Sequence, residues 1–329
     1  CSAPWRIEPA RAAGCAAAGS SAEWSGPVRC APGPRACRGV AFVLVLWVIA
    51  MLSILLGSFA LVARTENLQS RHLFDTTKAR YAAEAGLNLA VYELRKTDPS
   101  QRWIGDGRPY RFMFDDVEIE VSLTDDSGKI DINTATPELL TGMFMAAGVD
   151  RDRAAALADA VQDWRDPDDE TQPNGAEEQQ YKNAGLSYGP ANAPFNTVSE
   201  LQQVYGMDYA LYEKMAPAIT IYSGRGTPSE GYATPEVLQA MHPDWTAEQI
   251  SQIVQQLQAQ QPGSGGPPVL GPDGQPIVAG GGGLTYSIKS RATLPNGAST
   301  VLDTTIRLGG VNAAGRPYVI LRWRDDDSA

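Results

Sequence analysis

The chain is expected to fold in the α+β class, as one long N-terminal helix laid on an antiparallel sheet, with a large and mostly α-helical domain inserted between strands. Three observations predict this. Residues 40–96 read as a single helix that no proline interrupts. Apolar and polar residues alternate at 110–123 and again at 284–308, which is the period of half-buried strands. Between those stretches, from about 133 to 258, the apolar spacing becomes helical and several helix starts carry capping residues.

The long helix opens with an apolar run, 40–63, whose 24 residues contain no charge. At ~1.5 Å per residue it reaches about 36 Å, enough to cross a bilayer core of roughly 30 Å. Arg29, Arg35 and Arg38 precede the run, whereas Arg64 beyond it is followed at once by Glu66. The basic excess belongs in the cytoplasm, so the C-terminal bulk is expected outside it. Residues 1–39 are rich in Ala, Gly, Pro and Arg, begin with Cys, and read as a leader or an over-extended reading frame that is removed. Three readings compete for the run itself: a cleaved secretory signal, a plain signal anchor, or processing between Gly39 and Val40 with the helix retained. The run is long for a cleaved signal and has no clear small-residue exit site.

Beyond the run, Phe74, Tyr81, Ala85, Leu89 and Tyr92 fall on one face of a 3.6-residue period. That face is expected to pack against the sheet as core. Asp98-Pro99 stops the helix. Tyr110, Phe112 and Phe114 alternate, Asp115-Asp116 can turn, and Val117, Ile119, Val121 and Leu123 alternate again. Asp125-Asp126-Ser127-Gly128 then leads to a short strand at 129–132.

Helices are expected at 137–147, 151–164, 197–205, 209–216, 235–241 and 247–258. Thr136-Pro137-Glu138, Thr234-Pro235-Glu236 and Thr246-Ala247-Glu248 each set a capping hydroxyl before an early acid. The segment 133–140 echoes 196–201, with a weaker third copy at 232–238, and the first two are each followed by Gly and a second helix. This resembles helix-hairpin-helix DNA-binding units, in which a Gly-hydrophobic-Gly turn aims backbone N–H groups at a phosphate. Here the turns are Gly148-Val149-Asp150 and Gly206-Met207-Asp208, which put a carboxylate where the phosphate would sit. Residues 134–222 hold 14 acids and 5 bases. Such a surface disfavours nucleic acid, and the turns read better as helix-packing devices. A membrane-anchored DNA-binding protein stays as an alternative.

With residues 1–39 set aside, the net charge falls from −11 to −14, which suits cations or basic protein faces rather than anionic lipid. The four cysteines, Cys1, Cys15, Cys30 and Cys37, all precede the apolar run, so neither disulfides nor cysteine-bound metal can staple the remainder. The densest chemistry is an acidic loop: Asp163, Asp166, Asp168, Asp169 and Glu170, then Glu177 and Glu178. Such a loop is either a solvated face or the cage of a hard cation with oxygen ligands, for which calcium suits flexible loops better than magnesium. It starts at a helix C-terminus, where anions are disfavoured without a counter-ion. The EF-hand register is absent. Asp163, Asp166, Asp168 and Glu177 are the first candidate ligands, followed by Asp169, Glu170 and Glu178. Residues 259–283 read as a Gly/Pro/Gln linker with no core, and 284–329 as returning strands around Pro295-Asn296-Gly297. The segmentation is therefore 1–39, 40–63, 64–132, 133–258, 259–283 and 284–329.

Arg38-Gly39 followed by the apolar run from Val40 resembles the leader junction of type IV pilins and pseudopilins. In that family a prepilin peptidase cuts after the Gly and the new N-terminus is methylated. Most members carry Glu at the fifth mature position, where this chain has Leu44. That departure resembles the protein K family of minor pseudopilins in type II secretion systems. So does the segment from Asp163-Trp164 through Gly175-Ala176-Glu177 and Pro190-Ala191-Asn192-Ala193-Pro194 to Ser199-Glu200-Leu201. The resemblance implies a pilin-like fold and calcium in the inserted domain. It also implies a single-pass inner-membrane protein with a cytoplasmic N-terminus and a periplasmic body. Its role would be at the tip of the pseudopilus, initiating assembly and supporting export of folded proteins. The implied partners are the I- and J-type minor pseudopilins, the major pseudopilin, the inner-membrane secretion platform and the prepilin peptidase.

Enzyme readings find no support in the inventory. His72 and His242 have no nucleophile or metal constellation nearby, and hydrolase and phosphate-loop motifs are absent. A hydrolase acting on the secreted side remains the weaker alternative, resting only on the abundance of carboxylates.

Overall fold

The computed structural model describes residues 38–259, 267–277, 282–309, 315 and 317–326; the expected leader, up to residue 37, lies outside them. Helix α1 runs from Arg38 to Leu94, 57 residues without a break. The chain divides into two compact units between Thr65 and Glu66. In the first unit α1 is exposed from residue 41 onward, and its length and composition suffice to cross a membrane.

In the second unit α1 lies on an antiparallel sheet of five strands. These are β1 (Asp106–Phe114), β2 (Val117–Asp125), β5 (Thr285–Thr293), β6 (Ser299–Leu308) and β7 (Tyr318–Asp326), in the order β1-β2-β5-β6-β7. Alternation does the work expected of it: Val117, Ile119, Val121 and Leu123 are all buried, with Ile288 of β5 and Ile306 of β6 beside them. Asp115 and Gly297 take positive φ values in the turns that join β1 to β2 and β5 to β6.

The face that α1 presents to the sheet differs from the one expected. Ala79, Ala82, Ala83, Leu87, Ala90, Val91 and Leu94 are buried, whereas Phe74, Tyr81 and Tyr92 are 69%, 65% and 64% exposed. The helical period of the apolar residues holds, but the buried face lies at a different phase. Two apolar stripes run along this helix, and the one made of small residues allows the closest approach. Gly86 marks the contact, since a Cβ there would run into Ser290 Oγ and the Ile119 side chain.

The insertion leaves the sheet after a buried turn at Asp126–Gly128. Strand β3 (Ile130–Asp131) was expected to continue the meander. It instead pairs in parallel with β4 (Ile219–Thr220), so the two ends of the helical block are held side by side. Between them come α2 (Pro137–Ala146), α3 (Arg151–Arg165), α4 (Glu178–Asn183), a 3₁₀ turn at Val198–Gln203 and α5 (Tyr209–Met215). Leu140, Phe144, Val161, Trp164, Tyr181 and Leu201 form their core. Helices α6 (Pro235–Met241) and α7 (Ala247–Ala259) follow. Helix α6 packs against α2 where Gly142 leaves room for the Ala240 carbonyl. The stretch at 267–277, expected to be core-less linker, instead folds back with Ile277 N–H bonded to Val269 O (2.8 Å). Val269 and Ile277 are buried with Leu238, Ile250 and Ile253, because the few apolar residues of the linker coincide with the apolar face of α7.

One buried polar junction ties the sheet to the insertion. Asp126 is 1% exposed and pairs with Lys129 Nζ at 2.8 Å. It also accepts hydrogen bonds from Ser287 Oγ of β5 (2.7 Å) and Thr220 Oγ1 of β4 (2.9 Å).

Candidate metal centre

The acidic loop begins where α3 ends. Asp150 caps the start of α3 by accepting from Arg153 N–H, and Asp166 closes its end with an extended backbone. Arg165, the base nearest the loop, turns back: its Nη1 and Nη2 donate to Ile132 O and Ala135 O at 2.6 and 2.7 Å. Trp164 forms the floor, stacked on Phe195 with ring centroids 5.9 Å apart and tilted against Tyr181 at 6.4 Å. Tyr181 is fixed in turn by α4 and by donation of the Tyr205 N–H to its hydroxyl (2.8 Å).

Asp163 is fully buried and accepts from Gln172 N–H (3.0 Å) and Ala176 N–H (2.6 Å), so it folds the loop over itself. Burial pushes its carboxyl above the usual range, and Asp166 and Asp159 add to that. Asp166 is raised in the same way, by burial and then by Asp168. Glu177, only 5% exposed, is pushed up to about 7 by burial first and then by Asp163, Asp166, Asp169 and Asp168. Neither carboxylate oxygen of Glu177 has a hydrogen-bond partner, nor does Asp166 Oδ1. Such uncompensated buried oxygens are costly in a native fold.

Five of the seven expected ligands, Asp163, Asp166, Asp168, Asp169 and Glu177, therefore share one electrostatic neighbourhood. Glu170 and Glu178 do not join it. Glu178 pairs with Lys182 at 2.6 Å on the exposed side of α4, and Glu170 is exposed, its amide held by Asp168 Oδ1 (2.9 Å). Among the described residues no three such side chains already stand at coordination distance from a common point. The residues do fit a hard cation by chemistry, because the unpaired acceptors of Asp166, Glu177 and Asn192 are oxygens; the unpaired Trp164 Nε1 beneath them is a donor and would not be a ligand. Asn192 was not singled out as a ligand by sequence reasoning. Its Nδ2 donates to Asp169 Oδ1 (2.9 Å) and Asp168 O (3.2 Å), while its Oδ1 is buried without a partner. Its φ is +48°, a left-handed conformation that Asn tolerates better than most residues.

The turns that resembled DNA-binding hairpins are closed by their own carboxylates. Asp208 accepts from Leu211 N–H (2.8 Å) and from Arg153 Nη2 (2.9 Å), and Asp150 caps α3. His242 stacks on Trp245 and meets Glu230 at 2.8 Å, and His72 is exposed on α1.

Comparison with known proteins bears on the same region. A family model described as "Type II secretion system (T2SS), protein K" matches residues 121–224. Type II secretion system protein K of Klebsiella pneumoniae is 29% identical over 203 residues, which is 55% of this chain and 62% of that protein. The protein of the same description from Dickeya chrysanthemi is 22% identical over 241 residues, 57% of this chain and 66% of that one. The aligned part thus spans less than two thirds of the length of these relatives. Among solved structures, a chain of the GspK-GspI-GspJ complex of the enterotoxigenic Escherichia coli type 2 secretion system matches with a TM-score of 0.53 and 18% identity. That match covers 81% of this chain and 99% of the other, and it shows the same fold.

Proposed function

Since the chain belongs to the protein K family of type II secretion systems, we propose that it is the minor pseudopilin at the tip of the pseudopilus, where it initiates assembly and supports export of folded proteins across the outer membrane. The family is one of structural pseudopilins and not of enzymes. The observation that carries the tip reading is Leu44. An uncharged residue at the fifth position after Gly39 leaves nothing to meet the terminal amine of a subunit ahead, as suits a subunit that has none ahead of it. The apolar helix fits a single-pass anchor in the inner membrane, with the Arg-rich side cytoplasmic and the body periplasmic. The solved complex of GspK with GspI and GspJ supports I- and J-type minor pseudopilins as its partners. The major pseudopilin, the secretion platform and the prepilin peptidase are further expected partners, with cleavage at Gly39 and methylation of Val40.

Two measurements test this. Intact mass of the membrane-extracted chain is expected to give a methylated Val40 start; another N-terminus overturns the processing reading. Detergent-solubilised full chain is expected to co-purify with the I- and J-type subunits, and failure to do so in a reconstituted system overturns the tip reading.

Calcium is the proposed structural cofactor, held by Asp163, Asp166, Asp168 and Glu177 with Asp169, and with Asn192 as an added oxygen. It would neutralise carboxylates that the chain's own bases leave uncompensated, and so secure the end of α3 to the start of α4. Calcium is expected to raise the melting temperature over that in chelator, and Asp166→Ala with Asp168→Ala to abolish the increase. Equal melting with and without chelator overturns the assignment.

A further inference from the structure

Strand β7 has β6 on one side, and among the described residues no strand on the other. The opposite edge of the sheet, β1, is blunted by Pro109 and by an irregular register between Asp106 and Pro109, which remove an amide and bend the strand. The nine residues of β7 contain no proline, and a register shift against β6 at Leu321 divides them into two regular runs. The outward N–H and C=O groups of the run from Arg322 onward are therefore a template for another strand.

Two features on either side of that edge state what such a strand must carry. On the α1 side a groove of about 410 Å³ runs between the helix and β7, and its walls combine Leu87, Val91, Tyr92 and Trp323 with Glu84 and Arg95. On the outer side stand Arg322 and Arg324, opposite Thr305 and Asp303 of β6. Arg322 Nη2 reaches Asp303 (2.7 Å), but its Nε is buried with no hydrogen-bond partner. Arg324 is exposed and makes no ion pair among the described residues. Lys289 of β5 lies across from Asp303 on the same face, and Asp326 ends β7 two residues past Arg324, so three cations meet two acids at this corner of a chain of net charge −11.

We infer that the open edge of β7 receives an extended segment of a partner protein as a sixth strand, whose residues alternate apolar side chains into the α1–β7 groove with acidic ones beside Arg322 and Arg324. The alternation follows from the pleat, because neighbouring residues of an added strand face opposite sides of the sheet. A second copy of this chain is disfavoured in the antiparallel register centred on Trp323, where Arg322 of each copy meets Arg324 of the other and like charges repel. The inference stands on the sheet edge and not on the tip reading, and its test leaves that reading untouched.

The probe is a fluorescent nine-residue peptide of alternating valine and glutamate, titrated into the detergent-solubilised full chain and compared with an alternating valine and lysine peptide. The acidic peptide is expected to bind at least tenfold more tightly, and to slow hydrogen exchange at amides of β7 but not of β1. In Arg322→Glu with Arg324→Glu the preference is expected to invert. Equal binding of the two peptides, or acidic binding without protection of β7, overturns the proposal; the exchange measurement on the unaltered chain decides it if the double variant does not fold.

Discussion

Glu177→Gln is the most informative single change, because its effect should reverse sign with calcium. The substitution keeps the shape of the side chain and removes one buried charge. In the metal-free protein the Glu177 carboxyl is raised from 4.5 to about 7 by burial and by four neighbouring aspartates. The stability that goes with holding this group neutral is fully present below pH ~4.5, the unfolded value, and is lost as pH rises through ~7. At ~1.4 kcal/mol per unit, the cost at pH 8 is about 3 kcal/mol as an upper figure. For a body of this size that corresponds to roughly 6 °C or more in Tm. In chelator at pH 8, Glu177→Gln is therefore expected to melt above the parent chain, with the difference vanishing near pH 4.5. Asp163 and Asp166 are raised as well, so the pH slope of the variant should shrink without disappearing. With calcium at pH 8 the order should invert, since the variant lacks a ligand charge. Thermal unfolding followed by circular dichroism at the two pH values, with and without calcium, makes the comparison. A variant that melts below the parent in chelator at pH 8, or that gains equally at both pH values, would refute the reasoning.

Three further changes test the frame around the loop. Lys129→Met leaves Asp126 buried and without its cation, and ~3 kcal/mol of destabilisation is expected by denaturant unfolding, softened by the two hydroxyl donors that remain. Gly142→Ala pushes a methyl into the Ala240 carbonyl; despite better helix propensity it should cost about 1–3 kcal/mol and loosen α6 from α2, read as faster amide exchange in α6. Arg153→Ala removes an exposed pair with Asp208, whose side chains are 49% and 53% exposed, and should change stability by less than about 1 kcal/mol. A larger loss there would mean that the turn at 206–208 depends on the pair more than its exposure suggests.

The sheet was legible because its strands obey strict alternation, and α2 and α6 because Thr136 and Thr234 stand where caps are needed; Asp150 and Asp208, read as turn carboxylates, prove to be caps as well. The phase of α1 was not legible. Period alone cannot choose between an alanine stripe and an aromatic one, and the choice lies with the groove that the strands offer. Helix α4 escaped notice because its six residues carry no apolar period, and only Tyr181 points inward. Within the candidate site, carboxylate density identified the loop but could not separate Glu177, turned inward, from its neighbour Glu178, which faces solvent beside Lys182. Asn192 was hidden because its part depends on a backbone conformation rather than on a charge.

The parallel pairing of Ile130 with Ile219 and of Asp131 with Thr220 also bears on the order in which the chain can assemble. Strand β2 is complete at Asp125, yet its second neighbour, β5, starts only at Thr285. Until then one edge of β2 stays open, and closing a contact so distant along the chain is slow. The two-residue ribbon cuts that delay by gathering the 87 intervening residues, 132 to 218, into a unit whose ends already lie a strand's width apart. What β5 then has to close is the 64-residue span from 221 to 284 rather than all 159 residues from 126 to 284. On this view, weakening β3–β4 should slow folding more than it lowers final stability, and lengthen the time during which β2 is exposed to other chains.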